Sequence, residues 1–242
     1  MSDSGASQST EFELPDPPPL ADELQYVIIE GVIGAGKTTL AKELSDWLNG
    51  RLVLEQFEEN PFLERFYDDR QRWGFQTQLA FLASRFRQQK RLQHPDLFQR
   101  TIVSDYAFDK DRVFAHINLS GDELQLYESL YKLMEPNTRR PDLVVYLQST
   151  PDRLMKNIRK RGRSYEKKIE REYIEELNDA YNYYFHRYNK SPLLVVKAAN
   201  IDFVESREEL SLVLRKIVSV SYKGTTYWTP VPAEESERSD GG

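Results

Sequence analysis

Residues 31–38, Gly31-Val32-Ile33-Gly34-Ala35-Gly36-Lys37-Thr38, fit the pattern G-x-x-x-x-G-K-[ST] without a mismatch. The setting constrains the fold as much as the letters do. A β-branched apolar run (YVIIE, 26–30) precedes the pattern. An apolar stripe at helical spacing (Leu40, Leu44, Trp47, Leu48) follows it and is closed by Asn49-Gly50. In a strand–loop–helix unit, glycines let successive backbone N–H groups converge on phosphate oxygens with no Cβ in the way. A helix starting at Lys37 adds the positive end of its dipole. The pattern predicts a nucleoside triphosphate site made by Gly31, Gly34, Ala35, Gly36, Lys37, Thr38 and Thr39. Lys37 is expected to reach the β- and γ-oxygens, and the Thr38 hydroxyl to ligate Mg²⁺.

Four more apolar runs share the continuous character of the first: 52–54, 102–104, 143–147 and 193–196. Continuous runs suit strands covered on both faces, hence parallel strands joined by crossover helices. Helical stripes lie between them, among them Phe75, Leu79, Leu82 and Phe86, and then Leu126, Leu130, Leu133 and Met134. The expected fold is a three-layer P-loop α/β fold: a parallel five-stranded sheet flanked by helices, with an extra helical hairpin between the third and fourth strands.

Charge separates the body from its ends. Of the formal −6, residues 1–24 hold six acids and no base, and residues 229–242 hold four acids against Arg238. The stretch 25–228 carries 32 basic and 29 acidic side chains, so the predicted single domain is slightly basic between two disordered acidic tails. No apolar run approaches the roughly 20 residues of a membrane span. The N-terminus lacks the basic and apolar regions of a secretory signal, so a cytoplasmic protein without a membrane partner is expected. The absence of Cys excludes disulfides, thiolate zinc sites and cysteine nucleophiles. Three scattered histidines (His94, His116, His186) suit no histidine metal site. An acidic chain weighs against a dedicated nucleic-acid binder.

The guanine-reading Asn-Lys-x-Asp of a GTPase has no match, since Asn189-Lys190-Ser191-Pro192 lacks the Asp. The run 102–104 ends in a single acid, Asp105, and not in the acidic pair of motor ATPases. Small size then favours a kinase acting on a small molecule. Further blocks follow the glycine loop in order: LEQFEENPFL (54–63) with Phe66-Tyr67, WGFQTQ (73–78) with FLASRF (81–86), Ser104-Asp105-Tyr106 with DKDRVFA (109–115), and RGRSYE (161–166). On these blocks the stretch from about Tyr26 to about Val204 resembles the deoxyribonucleoside kinase family, in particular its bacterial deoxyadenosine/deoxyguanosine kinase-like branch.

The resemblance implies ATP-dependent phosphorylation of a deoxyribonucleoside 5′-OH in nucleotide salvage. Glu55 is then the general base. Lys37, Arg161 and Arg163 complete the catalytic set, with the arginines on a lid that closes over the transferring phosphoryl group. Gln78 contacts the nucleobase edge, and Arg85 with Asp111 shapes a base pocket in a pattern that goes with purines, with or without deoxycytidine. Tyr67 and Glu166 bind the 3′-OH and leave a 2′-OH crowded. Asp105 joins Thr38 at Mg²⁺. The residues taken by themselves leave plainer alternatives open. Glu55 belongs to an acidic group with Glu58 and Glu59, and Gln78 and Arg85 also suit the waterline of an amphipathic helix. Tyr67 is one of fourteen tyrosines, and the nine bases between 153 and 171 also suit a solvated helix face. Phe81 and Trp73 are candidates to stack on the base, whereas Tyr181, Tyr183, Tyr184 and Tyr188 read as packing.

Two positions depart from the family pattern. Tyr106 stands where an Arg is usual, which favours a neutral nucleoside over a nucleotide acceptor. Asn157 replaces a lid Arg, with Arg159 or Lys160 as possible substitutes. A homodimer through flanking helices is expected. The rival readings are a thymidylate-kinase-like nucleoside monophosphate kinase and a non-catalytic P-loop protein that uses its basic segment on nucleic acid.

Overall fold

A computed structural model describes residues 14–18, 24–92, 101–220 and 223–231. β1 (Tyr26–Glu30) is buried along its whole length, and β4 (Leu143–Gln148) at all but its last residue. Such strands need cover on both faces, which crossover helices supply. With β2 (Arg51–Val53), β3 (Ile102–Ser104), β5 (Leu193–Lys197) and β6 (Thr225–Trp228) they form one sheet, ordered β2-β3-β1-β4-β5-β6, in which every neighbouring pair is parallel. From β1 the chain runs through α1 (Lys37–Trp47) toward β2 on one side, while β4 pairs with β1 on the other. That reversal at the carboxyl end of β1 opens the crevice where α/β sheets bind ligands. The glycine loop sits in it.

α1 packs on β1, β2 and β3. α3 (Arg70–Leu92) follows the short α2 (Leu63–Asp68) and packs on α4 (Lys110–Asn118), which also contacts α7 (Arg171–His186). α5 (Gly121–Met134) docks on α3 and α4 as the expected extra hairpin. Thr150 caps α6 (Pro151–Arg161) ahead of Pro151, and Ser206 caps α8 (Arg207–Ser219). The tyrosines of α7 mostly pack: Tyr146 of β4 stacks on Phe185 at 4.2 Å and Tyr181 is buried, while Tyr183 is exposed under Arg187. No helix among the described residues is long and apolar enough to cross a membrane.

The sheet has six strands, not the five expected. The sixth, TTYW, alternates exposed and half-buried residues and carries no continuous apolar run. It becomes a strand because β5 offers an open edge. The stripe of Leu126, Leu130, Leu133 and Met134 lies on α5 as expected, but Leu126 and Leu133 are 51% and 73% exposed. Tyr127 and Tyr131 are the buried face of that helix, in a separate cluster with Leu82 and Phe108. Within the expected N-terminal tail, Leu14 packs on the core and the Trp47 indole donates to Pro15 O at 2.7 Å. Leu24 is itself buried. The remaining tail positions, 1–13, 19–23 and 232–242, lie outside the described residues.

Candidate active site

The glycine loop is bent where only glycine bends cheaply. Gly34 and Gly36 have φ of 87° and 90°. A Cβ at Gly34 would stand 2.7 Å from Leu154 O, and one at Gly36 would stand 2.9 Å from the Phe203 ring. The Asn157 amide donates to Gly34 O at 2.8 Å, so Asn157 ties the loop to α6. Lys37 Nζ donates to Gly31 O (2.8 Å) and Val32 O (3.1 Å). Burial and the nearby Lys110 push Lys37 down to about 8, against the pull of Glu30, Glu55 and Asp105. The Thr38 hydroxyl donates to Asp105 Oδ2 at 2.5 Å, and Asp105 Oδ1 accepts from Glu55 N at 2.7 Å.

Thr38 and Asp105 form a hard-oxygen pair beside the phosphate loop. No cluster of three or more His, Cys, Asp or Glu suited to a metal occurs among the described residues. Two protein oxygens, with phosphate and water supplying the rest, fit the usual Mg²⁺ sphere and not a protein-only cage.

Glu55 lies just past β2 and shares a cleft of about 90 Å³ with Lys37, Thr38 and Asp105. Tyr67, Gln78 and Arg85 form a second wall, and Arg161, Arg163 and Glu166 close it from the lid side. Arg85 Nε donates to Glu55 Oε1 at 3.0 Å, its Nη2 bonds the same oxygen, and its Nη1 forms an ion pair with the fully buried Asp111. Asp111 thus stands behind Arg85 and does not line the cleft. Lys110 Nζ donates to Glu55 Oε2 at 2.6 Å. Burial disfavours charge on Glu55, but Arg85 and Lys110 outweigh it and hold the carboxyl well below the usual range. Gln78 is 1% exposed, and its Oε1 has no partner among the described residues. Phe81 lines the cleft under the Arg85 guanidinium. Trp73 does not line it; it stacks on Phe62 at 5.9 Å, with the Arg65 guanidinium of α2 5.0 Å from its ring centre.

Gly162 ends α6 with φ 68°, a left-handed turn that brings the arginines on both sides of it onto one acceptor. Glu166, buried, accepts from Arg161 Nε at 3.0 Å and Nη2 at 2.5 Å, and Arg163 Nη1 is 3.6 Å away. Tyr165 lies between Phe57 and Tyr67, with centroids at 6.1 and 6.4 Å. Several neighbouring bases are tied down at the surface, Lys160 to Glu205 and Arg171 to Asp152 and Glu175. Lys160 is not among the residues lining the Glu55 cleft but lines the cleft on the other side of the loop. Arg159 is exposed.

The other side of the loop opens on a cleft of about 450 Å³, in the range of ligand pockets, where Gly34, Gly36 and Thr39 meet Arg153, Phe203 and Val204. Sequence reasoning did not single out Arg153, Phe203, Glu30 or Lys110. Glu30 is fully buried and accepts from Gly31 N (3.1 Å) and Ala107 N (2.6 Å), joining the loop to the turn after β3. Its carboxyl is pushed up by burial, partly offset by Lys110 and Lys37. For Lys110 a signal was present. Tyr106 brings no cation and is fully buried, and the next helical turn of that block contains Lys110.

A model of the family described as deoxynucleoside kinase matches residues 27–220. A deoxyguanosine kinase of Bacillus subtilis is 33% identical over 189 residues, covering 76% of this chain and 91% of the relative. A deoxyadenosine/deoxycytidine kinase of the same organism is 30% identical over 204 residues, covering 80% and 92%. Among solved structures, a deoxyadenosine kinase from M. mycoides with bound dATP superposes with a TM-score of 0.70 at 28% identity, covering 81% of this chain and 100% of that one.

Proposed function

The chain belongs to the deoxynucleoside kinase family, in its bacterial deoxyadenosine/deoxyguanosine kinase-like branch, and is a phosphotransferase; we propose that it moves the γ-phosphoryl group of ATP to the 5′-OH of a purine deoxyribonucleoside, deoxyadenosine first. The observation that carries this reading is the Glu55 carboxylate, linked through its own N–H and Asp105 to Thr38 of the phosphate loop, in one cleft with a buried unpaired amide oxygen on Gln78. A carboxylate so placed accepts the hydroxyl proton as the 5′-O–P bond forms and the bond to the β-phosphate breaks. Lys37 and the loop N–H groups hold the charge left on the diphosphate, and Arg161 and Arg163 bring cations from the lid. Thr38 and Asp105 would hold Mg²⁺, which supplies Lewis-acid neutralisation of the phosphate oxygens.

The amide of Gln78 offers one donor and one acceptor, which suits a purine edge presenting one of each. Arg85, pinned by Asp111, stiffens the wall beside it. Tyr67 and Glu166 take the 3′-OH. With no membrane-length helix among the described residues and no cysteine in the sequence, a cytoplasmic salvage enzyme fits this chemistry. Leu126 and Leu133, exposed on α5, supply the face for a homodimer.

The test is a panel of dA, dG, dC and dT and their monophosphates as acceptors, with ATP and Mg²⁺. Turnover of dA and dG with none of the monophosphates is expected, and turnover of monophosphates alone would replace this reading with a nucleotide kinase. Glu55→Gln is expected to lower kcat by roughly 10²- to 10⁴-fold with donor binding retained. A near-wild-type kcat in that variant would remove Glu55 as the base.

A further inference from the structure

Two cations hold Glu55, and they are held differently. Arg85 is fastened from behind by Asp111, with both side chains buried. Lys110 has Glu55 as its only ion-pair partner among the described residues; its ammonium otherwise lies 5.6 Å from the Phe114 ring centre. It begins α4 at the carboxyl end of β3, is 7% exposed, and shares the cleft with Lys37, Thr38 and Asp105. Burial and the neighbouring Lys110 lower the proton affinity of Lys37, against Glu30, Glu55 and Asp105, so a second ammonium held this close suits a site that receives an anion.

From this asymmetry we infer that Lys110 is a catalytic cation: it follows the attacking oxygen from Glu55 to the transferring phosphoryl group. The inference rests on the kinase reading above and deepens it. An arriving γ-phosphate approaches two carboxylates, Glu55 and Asp105, and that repulsion needs a cation fixed between them. Glu55 also becomes an effective base only when one of its two cations loosens. Arg85 is not free to do so, because its planar fork is shared with Asp111. Lys110 is a point charge on a flexible stem with N–H donors to spare. In the step, the 5′-O–H proton passes to Glu55 Oε2 as the O–P bond forms. Lys110 leaves that oxygen for the equatorial phosphoryl oxygens, and ADP departs with the electron pair of the broken bond. Tyr106 plays no part in holding this charge.

The experiment uses the full-length enzyme with Lys110→Met and Lys110→Arg, measuring kcat, nucleoside KM and ATP-analogue Kd, with thermal melting of each variant. The expected result for Lys110→Met is a fall in kcat of roughly 10²- to 10³-fold, with KM and Kd within about threefold of wild type, and at least about tenfold recovery in Lys110→Arg. A kcat within threefold of wild type in Lys110→Met, a loss confined to KM, or an Arg variant as inactive as the Met variant overturns the assignment. Should Lys110→Met fail to fold, Lys110→Arg against Lys110→Gln decides by the same criterion. A wild-type enzyme that phosphorylates no deoxyribonucleoside instead sinks the kinase reading, so the two failures are distinguishable.

Discussion

Lys37 shows how far a single residue can be read from a motif and where the reading stops. Its place after Gly36 announced a phosphate-binding ammonium, but not that the ammonium would be buried beside a second one. Lys110, Glu55 and Arg85 meet across separations of 30 and 55 residues, and no spacing rule reaches that far. The consequence is a measurable pH dependence. With its free-enzyme value lowered to about 8, Lys37 loses its proton as pH rises through 8, whereas a bound phosphate favours the charged form. Donor affinity should therefore be constant below about pH 7 and weaken above 8, approaching about tenfold per pH unit. Calorimetric titration of an ATP analogue from pH 6.5 to 9.5 checks this. A flat profile across that range would show that Lys37 keeps its proton there, and the same slope in Lys37→Met would show that another group carries the linkage.

At the scale of elements, legibility followed burial. β1 and β4 were plain because all but the last position of each is apolar, whereas β6 had to be found in the structure. A short edge strand with one half-buried face differs little in composition from a loop. On α5 the helix was legible and its orientation was not. The leucines suggested the inward face, while Tyr127 and Tyr131, whose rings bury large apolar area, took it. The glycine turns were the most legible elements of all, and they separate two kinds of requirement. Gly36 combines φ 90° with a neighbour, the Phe203 ring, 2.9 Å from any added Cβ. Gly162 has φ 68° and no atom nearer than Arg159 O at 3.9 Å. Gly162→Ala should therefore cost only the left-handed strain of about 1 kcal/mol, seen as a small drop in melting temperature with donor binding intact. Gly36→Ala should add displacement of Phe203 from the donor cleft, costing roughly 1–3 kcal/mol and weakening ATP-analogue binding by about tenfold per 1.4 kcal/mol. Equal donor affinity in the two variants would show that Phe203 yields freely.

For the molecule as a whole, α5 carries apolar residues on two faces. Tyr127 and Tyr131 point into the protein, with Leu130 half-buried against their cluster, while Leu126 and Leu133, at i and i+7, share a second, exposed face. A surface helix normally needs one apolar stripe, and a second one marks a contact. The active-site cleft is lined from the loop, α2, α3, α4, α7 and the lid, and none of its lining residues lies on α5. Charge on the second face should therefore separate subunits without touching the site. The chain has a mass of 28.4 kDa, and light scattering of the wild type should give twice that value. Leu126→Glu with Leu133→Glu should return the mass to that of one chain, because two carboxylates on each face would meet their symmetry mates across an isologous contact. Folding of the separated subunit should survive, since both side chains are already exposed. A wild type that runs at 28.4 kDa would leave α5 without a partner, and a double variant that keeps the doubled mass would move the contact to another face.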